Sequence, residues 1–218
     1  MAFNLTDDTV VMLEHMMIQN LPEFLHLFQT EHGSLLDDRN WRHVNPIWTC
    51  FVNGTAKGWS VNGWDGLFSR WVRETCDLEK WCIQPEVYRV DRAVLDVSQG
   101  DWWDGRQRIE VLFEHENDSG EIEGHVRQFF DFTVANKVLL TWATCRSDRP
   151  ERLLDRAREV VRFCRDTGVP EVGTLGVVVG DWRVIEEWLR ASPRPPRPDA
   201  QVLHWKIFRP GAELRGEP

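Results

Sequence analysis

The sequence predicts an α/β protein in which helices flank a mixed β-sheet. Two β-rich runs, 86–97 and 108–116, follow one another closely and are typical of an antiparallel hairpin. From residue 119 onward, helical and strand-like segments alternate, which is typical of a sheet covered by helices. We therefore expect an α/β sandwich with a mixed sheet and a helical N-terminal extension.

Length and charge narrow the possible classes of protein. The 218 residues suit one globular unit, with residues 1–65 as a helical or irregular extension packed on an α/β core of residues 66–218. The formal net charge is −9, and proteins that coat nucleic acid normally present a basic surface. The composition therefore counts against bulk DNA coating, but it allows an enzyme with a local Arg-lined groove.

The five cysteines predict reduced thiols in a cytoplasmic protein. Their number is odd and no pair has CxxC spacing, which disfavours both a disulfide scaffold and a zinc site. The N-terminus has early acidic residues and no basic segment, unlike a secretory signal. No apolar run has the roughly 18–20 residues of a membrane span, so we expect no membrane association.

The N-terminal third predicts two helices around an irregular segment. Apolar residues recur at helical spacing over 6–30, and Pro22 should kink or split that helix. Two Asn-Gly pairs within 31–65 favour a hairpin or an irregular β-element. Residues 66–82 return to helical spacing, with Glu74 and Glu79 outside the apolar stripe.

The C-terminal half gives clearer signals. A helix should start near Ser119, which is a possible N-cap, and another should cover 149–166. Asp181 should cap a third helix. The glycines of Gly173–Gly176 should allow a strand to pack closely. Besides the hairpin, the predicted strands are 136–143, 174–181 and 202–209.

An unusual density of acid follows the strand 108–116. Alternation predicts that Glu110, Leu112, Glu114 and Glu116 share one face, and that Ile109, Val111, Phe113 and His115 share the other. Residues on the same face are about 6–7 Å apart along a strand, so the carboxylates of Glu114 and Glu116 can approach one point. His115 is expected to be structural.

Asp91 adds a third carboxylate from the neighbouring strand. It lies among apolar residues, where an unpaired carboxylate is costly. Two carboxylates from one strand and one from the next can form a site for Mg²⁺ or Mn²⁺, which prefer oxygen ligands. Alternatively, the glutamates form the solvated face of an amphipathic strand, and Asp91 pairs with Arg89 or Arg92.

The segments "PEVYRVDRAVLDV", "RIEVLFEHEN" and "NKVLLTWA" resemble the core of the PD-(D/E)XK, or restriction-endonuclease-like, phosphodiesterases. The resemblance covers roughly residues 66–180 and includes bacterial members of that superfamily. It implies an α-β-β-β-α-β core and a nuclease that uses Mg²⁺ or Mn²⁺ on DNA or RNA. Asp91 matches the acid of the second strand, Glu114 the first acid of the third-strand tripeptide, and Glu74 or Glu79 an acid of the first helix. The implied metal ligands are therefore Asp91, Glu114, Glu116 and Glu74.

One position departs from the family pattern. Glu116 stands where relatives usually carry Lys, and Lys137 lies on a later strand. Glu116 can be a third metal ligand in a variant active site, or it can mark a catalytically inactive chain that binds a protein or nucleic-acid partner. Asp96 remains an alternative to Asp91, because a bulge could change which of them faces the site.

Overall fold

The computed structural model describes residues 3–32, 67–76, 78–87, 90–98, 108–116, 119–143 and 148–212. The hairpin or irregular β-element predicted within 31–65 lies outside these residues, as do residues 99–107. The helices are α1 (Asp7–His32), α2 (Leu67–Thr75), α3 (Ile122–Phe129), α4 (Pro150–Asp166) and α5 (Trp182–Arg190). The strands are β1 (Trp81–Val87), β2 (Val90–Asp96), β3 (Arg108–Glu116), β4 (Asn136–Ala143), β5 (Thr174–Asp181) and β6 (Leu203–Phe208).

The six strands form one mixed sheet in the order of the sequence, β1 to β6. The pairs β1–β2, β2–β3 and β5–β6 are antiparallel, whereas β3–β4 and β4–β5 are parallel. Each parallel pair is joined through a helix, α3 or α4, as a parallel connection requires. The predicted α/β class with a mixed, helix-flanked sheet is confirmed.

Two apolar clusters cover the two faces of the sheet. The first, which we call the N-terminal face, packs residues of α1, α2 and α5 against the sheet. It includes Leu13, Trp71 and Ile185 of these helices and Phe113 and Leu140 of the strands. The second, the α3/α4 face, packs residues of those two helices against the sheet. It includes Val126 and Ala157 of the helices and Leu112, Leu139 and Val177 of the strands. Alternate residues of β4 enter opposite clusters, as the period of two along a strand requires.

Helix α1 is joined to the C-terminal strand by polar contacts as well as by apolar packing. One carboxylate oxygen of Glu14 accepts hydrogen bonds from the backbone N–H groups of Val202 and Leu203, at 2.6 and 2.9 Å. The indole of Trp205 donates to Asp7 at 2.7 Å. Helix α1 therefore contacts the core, and it continues through Pro22, so the predicted split into two helices is absent.

The sequence prediction missed β1. It extended the second helix to residue 82, but α2 ends at Thr75 and Trp81–Val87 is a strand. Pro85 lies within this strand, where a proline removes a hydrogen-bond donor from the ladder. The strand β1 lies at the edge of the sheet, where a missing donor is tolerated.

The start of α3 also differs from the prediction. Residues Ser119–Glu121 form a short 3₁₀ turn, and the N-cap position is Glu121, with no side-chain cap. The Ser119 hydroxyl donates instead to a carboxylate oxygen of Asp148, at 2.6 Å. By contrast, the predicted Asp181 cap is confirmed, because its carboxylate accepts from the Arg183 N–H at 3.0 Å.

A β-bulge at Glu110 changes the predicted alternation in β3. The consecutive residues Val94 and Leu95 of β2 pair with Val111 and Ile109, so Glu110 is the extra residue of β3. Ile109 consequently packs with the α3/α4 face, although simple alternation placed it with Val111 on the opposite side.

The bulge also separates Glu110 from Glu114 and Glu116. Glu110 is 1% exposed and forms an ion pair with Arg108. Cys76 follows α2 and lies on the N-terminal face. Burial raises the pKa of its thiol to about 12, and the nearby charge of Glu110 acts in the same direction. The predicted common face of Glu110, Glu114 and Glu116 is therefore wrong for Glu110.

No described helix is long and apolar enough to cross a membrane.

The described tryptophans are packing residues. Trp142 and Trp182 stack edge to face with ring centroids 5.9 Å apart. The side chains of four tryptophans are buried in the first cluster: Trp71, Trp142, Trp182 and Trp188.

Replacement of Gly173 by Ala should lower the free energy of unfolding by about 3 kcal/mol. Gly173 has φ of +72°, and a Cβ there would overlap the backbone oxygen of Val134. Gly168→Ala is the matched control, because its φ is +74° but nothing lies within 4 Å of its Cβ position. Urea denaturation should show a cost near 1 kcal/mol for the control, and equal costs would contradict the role of the Val134 contact.

Candidate functional site

The side chains of Asp91 and Glu114 join β2 to β3 where the regular ladder ends. The last pair at this end is Arg92 with Phe113. Beyond it, the Asp91 N–H donates to Glu114 Oε2 at 2.8 Å, and the His115 N–H donates to Asp91 Oδ2 at 2.9 Å. Each carboxylate therefore takes a hydrogen bond from the opposite strand, and these crossed bonds hold the two acids next to one another.

Glu116 and His125 extend this pair. His125 lies on α3, which covers the strand ends on the α3/α4 face. Its Nε2 is 2.6 Å from Glu116 Oε2, and its Nδ1 is 3.5 Å from Glu114 Oε1. One imidazole thus bridges two carboxylates of β3. We call Asp91, Glu114, Glu116 and His125 the carboxylate–histidine cluster.

Burial and mutual repulsion oppose ionisation of the two central acids. Glu114 is 8% exposed, and its pKa rises to about 7 because of burial first and the charge of Asp91 second. The pKa of Asp91 is also raised, mainly by burial, although the His115 N–H and Arg92 act in the opposite direction. The two acids therefore hold protons more readily than ordinary carboxyls, and a bound divalent cation would instead favour their ionised forms.

His125, a member of the cluster, and His115, which lies next to it on β3, have different environments. The hydrogen bond to Glu116 raises the pKa of His125, and the charges of Glu116, Glu114 and Glu121 act in the same direction. Burial alone holds the pKa of His115 well below its ordinary value. His115 thus contributes its backbone N–H to the cluster, which agrees with the expectation of a structural imidazole.

Three of the four metal ligands expected from the sequence come together, and the fourth does not. Glu74 is exposed on α2, whose buried residues Trp71 and Val72 belong to the N-terminal face. The three acids of the carboxylate–histidine cluster lie beside α3, which packs on the other face of the sheet. The structure therefore does not place Glu74 with Asp91, Glu114 and Glu116.

The choice between Asp91 and Asp96 is also resolved. Asp96 pairs with Arg108 at the opposite end of the β2–β3 ladder, five residues from Asp91, or about 17 Å along a strand. Its carboxylate accepts from the Ser98 N–H at 2.9 Å, and hydrogen bonds from Ser98 lower its pKa. Asp91 is therefore the β2 acid that meets Glu114.

Lys137 does not approach the cluster. It is buried, and its ammonium group donates to the backbone oxygens of Phe132 and Val172. Burial lowers its pKa to about 8. These carbonyls hold the ammonium group in a structural position, and Lys137 does not provide the lysine that the resemblance would place beside Glu114.

The donor chemistry of the cluster fits a hard divalent cation. Mg²⁺ binds through one or two carboxylates and retains waters, and Mn²⁺ accepts the same oxygen ligands. The crossed bonds of Asp91 and Glu114 supply such a pair. In the described parts of the chain, no three His, Cys, Asp or Glu side chains are grouped as a ligand set. The arrangement therefore fits a two-carboxylate centre, with Glu116 held by His125, better than the larger set implied by the resemblance.

The sequence prediction did not include His125, although the helical pattern contained a signal for it. Ile122, Val126 and Phe129 are the buried residues of α3. His125 follows Ile122 by three positions and precedes Phe129 by four, so it lies on the same side of the helix and faces the sheet. A helix that follows Glu116 so closely can return its inward-facing histidine to the carboxylates of β3.

Comparison with known proteins gives no relative: no family model, curated protein or solved structure matches the chain.

Proposed function

We propose that this protein hydrolyses phosphodiester bonds in nucleic acid, with Mg²⁺ or Mn²⁺ held by Asp91 and Glu114. The observation that carries the proposal is the crossed pair of hydrogen bonds that brings an acid of β2 against an acid of β3. Adjacent buried carboxylates repel one another and raise the cost of ionisation. A divalent cation would compensate both charges.

The order of the elements supports a restriction-endonuclease-like fold. Helix α2 is followed by β1, β2 and β3, then by α3 and β4, which is the α-β-β-β-α-β order that the resemblance implies. Asp91 lies on the second of these strands and Glu114 on the third. Both positions agree with the acids of the family motif, so the resemblance and the geometry favour the same reaction.

The chain's own residues have distinct roles in this reaction. A bound Mg²⁺ or Mn²⁺ would polarise the phosphodiester and lower the pKa of an attacking water. Asp91 and Glu114 would hold the ion. The His115 N–H orients the carboxylate of Asp91, and the Asp91 N–H orients that of Glu114. His125 donates to Glu116 and so fixes the third carboxylate beside the pair.

Glu116 is the residue that we assign to accept the proton of the attacking water. Glu116 lies two residues after Glu114 on β3, at the position where relatives carry lysine. Its carboxylate can act as a base. The water oxygen forms the new bond to phosphorus, and the bond to the leaving sugar oxygen breaks. The proton passes to Glu116, and the leaving oxygen takes a proton from solvent.

Incubation of the purified protein with single- and double-stranded DNA and RNA tests this function. We expect cleavage of at least one substrate with Mg²⁺ or Mn²⁺, loss of cleavage with a chelator, and loss in Glu114→Gln. Glu159→Gln, an exposed glutamate on α4, is the matched control and should cleave as the wild type does. Cleavage that survives the chelator or the Glu114→Gln change would exclude the proposed centre.

The contact of Glu116 with His125, at a position where relatives carry Lys, supports a second candidate function. In this alternative the chain does not catalyse hydrolysis and binds a protein or nucleic-acid partner on the same fold. A partner that is retained equally by the wild type and by a double Asp91→Ala, Glu114→Ala variant, together with absent cleavage, would favour it. An Arg-lined groove for DNA or RNA also remains a prediction.

A further inference from the structure

A single arginine ties the start of α3 to α4. The guanidinium of Arg156 donates to both carboxylate oxygens of Glu123, from Nε at 2.7 Å and from NH2 at 2.9 Å. It also donates to the backbone oxygen of Ser119 at 3.2 Å and to that of Gly120 at 3.1 Å. Four contacts from one rigid group fix the orientation of the segment as well as its distance from α4.

The segment that Arg156 contacts, residues 119–123, leads directly to His125. Glu123 lies in the first turn of α3, two residues before His125, and the carbonyls of Ser119 and Gly120 belong to the 3₁₀ turn that precedes the helix. Helix α3 has only eight residues, three of them buried against the sheet. Short helices depend on tertiary contacts for their stability, and the Arg156 contacts provide them at the end nearest the cluster.

We propose that Arg156 is a positioning residue for the carboxylate–histidine cluster. It holds the start of α3 so that the His125 imidazole reaches Glu116 at 2.6 Å and Glu114 at 3.5 Å. The catalytic meaning of this inference rests on the proposed function, whereas the positioning itself does not. A displacement of about 1 Å is enough to break a hydrogen bond of this length and to disturb a reacting geometry.

The variant Arg156→Lys provides the test, because it keeps the positive charge and removes the planar guanidinium. The readout is the pair of imidazole nitrogen chemical shifts of His125 in ¹⁵N-labelled protein at fixed pH, assigned with a His125→Asn variant. We expect these shifts to move toward those of a free imidazole. Mn²⁺ affinity, measured by calorimetry, should fall by about tenfold.

Arg158→Lys is the matched control. Arg158 lies on the same helix and forms an ion pair within α4, with Asp155, at 2.7 Å. This variant should retain the wild-type His125 shifts and Mn²⁺ affinity. Should Arg156→Lys fail to fold, Glu123→Gln removes the ion pair but leaves Arg156 its two backbone acceptors, and it should produce a smaller shift in the same direction.

The outcomes separate this inference from the proposed function. Wild-type His125 shifts in Arg156→Lys and in Glu123→Gln would overturn the positioning role, even if both variants lose thermal stability. Absence of Mn²⁺ binding by the wild type would overturn the proposed function, and the nitrogen shifts would still decide whether Arg156 positions His125.

Discussion

Replacement of Glu114 by Gln is expected to raise the free energy of unfolding at pH 8 by roughly 3 kcal/mol. The folded-state pKa of Glu114 is about 7, against an ordinary value of 4.5, because the carboxyl is buried beside Asp91. A carboxyl with a raised pKa binds its proton more tightly in the folded state. Its stabilising effect is fully present below pH 4.5 and is lost as the pH rises through 7.

The Gln variant removes this dependence while preserving the shape of the side chain. Its amide oxygen can still accept the Asp91 N–H, so the crossed bond to β2 is retained. Urea denaturation between pH 4 and 8 should therefore show two stability curves that converge near pH 4 and separate above it. Parallel curves across this range would contradict the buried, repelled state of Glu114.

Asp96→Asn is the control of opposite sign. Hydrogen bonds from Ser98 lower the pKa of Asp96, so its ionised form is favoured in the folded protein. Neutralising it should reduce stability above its ordinary pKa, in contrast to the gain expected for Glu114→Gln. A gain in both variants would indicate a general response to the net charge of −9 instead of a local property of the cluster.

Asp91→Asn is expected to lower the rate of metal-dependent phosphodiester hydrolysis by roughly 1,000-fold. Metal ions contribute several kcal/mol of charge stabilisation in such reactions, and about 1.4 kcal/mol corresponds to a factor of ten in rate. Asn can still accept the His115 N–H that Asp91 accepts at 2.9 Å, so the change removes charge more than structure. The measurement is kcat in the metal-dependent cleavage assay of the proposed function, with the same nucleic acid for the variant and the wild type.

Asp96→Asn is again the matched control, since Asp96 has the same chemistry on the same strand but lies at the far end of the β2–β3 ladder. Its kcat should remain within about twofold of the wild type. Equal losses in the two variants would indicate that β2 as a whole, and not the Asp91–Glu114 pair, supports the reaction.

The strands of the sheet were predictable where turn residues mark the ends of a buried strand. The strands 136–143 and 174–181 are mainly apolar runs next to turn residues, and both are confirmed with the predicted bounds. The edge strand β1 was missed because its tryptophan and cysteine continue the apolar stripe of α2, and a local pattern does not show where a short helix ends.

The acids of β3 in the candidate site were predictable from the strand pattern, whereas the contacts made by the helices were not. Alternation along β3 correctly gives Glu114 and Glu116 one face, because the bulge at Glu110 precedes them. The bulge itself depends on pairing with β2, which no local pattern reveals. His125 and Arg156 come from helices α3 and α4, and their contacts depend on tertiary packing that strand periodicity does not describe.

Calorimetric titration with Mn²⁺ tests the central claim most directly, because it requires no knowledge of the substrate. The wild type and Asp96→Asn should each bind one Mn²⁺ with similar affinity, and the double variant Asp91→Asn, Glu114→Gln should show no saturable binding. Circular dichroism should confirm that all three proteins are folded. Equal binding by the double variant, or no binding by the wild type, would contradict a metal centre at Asp91 and Glu114.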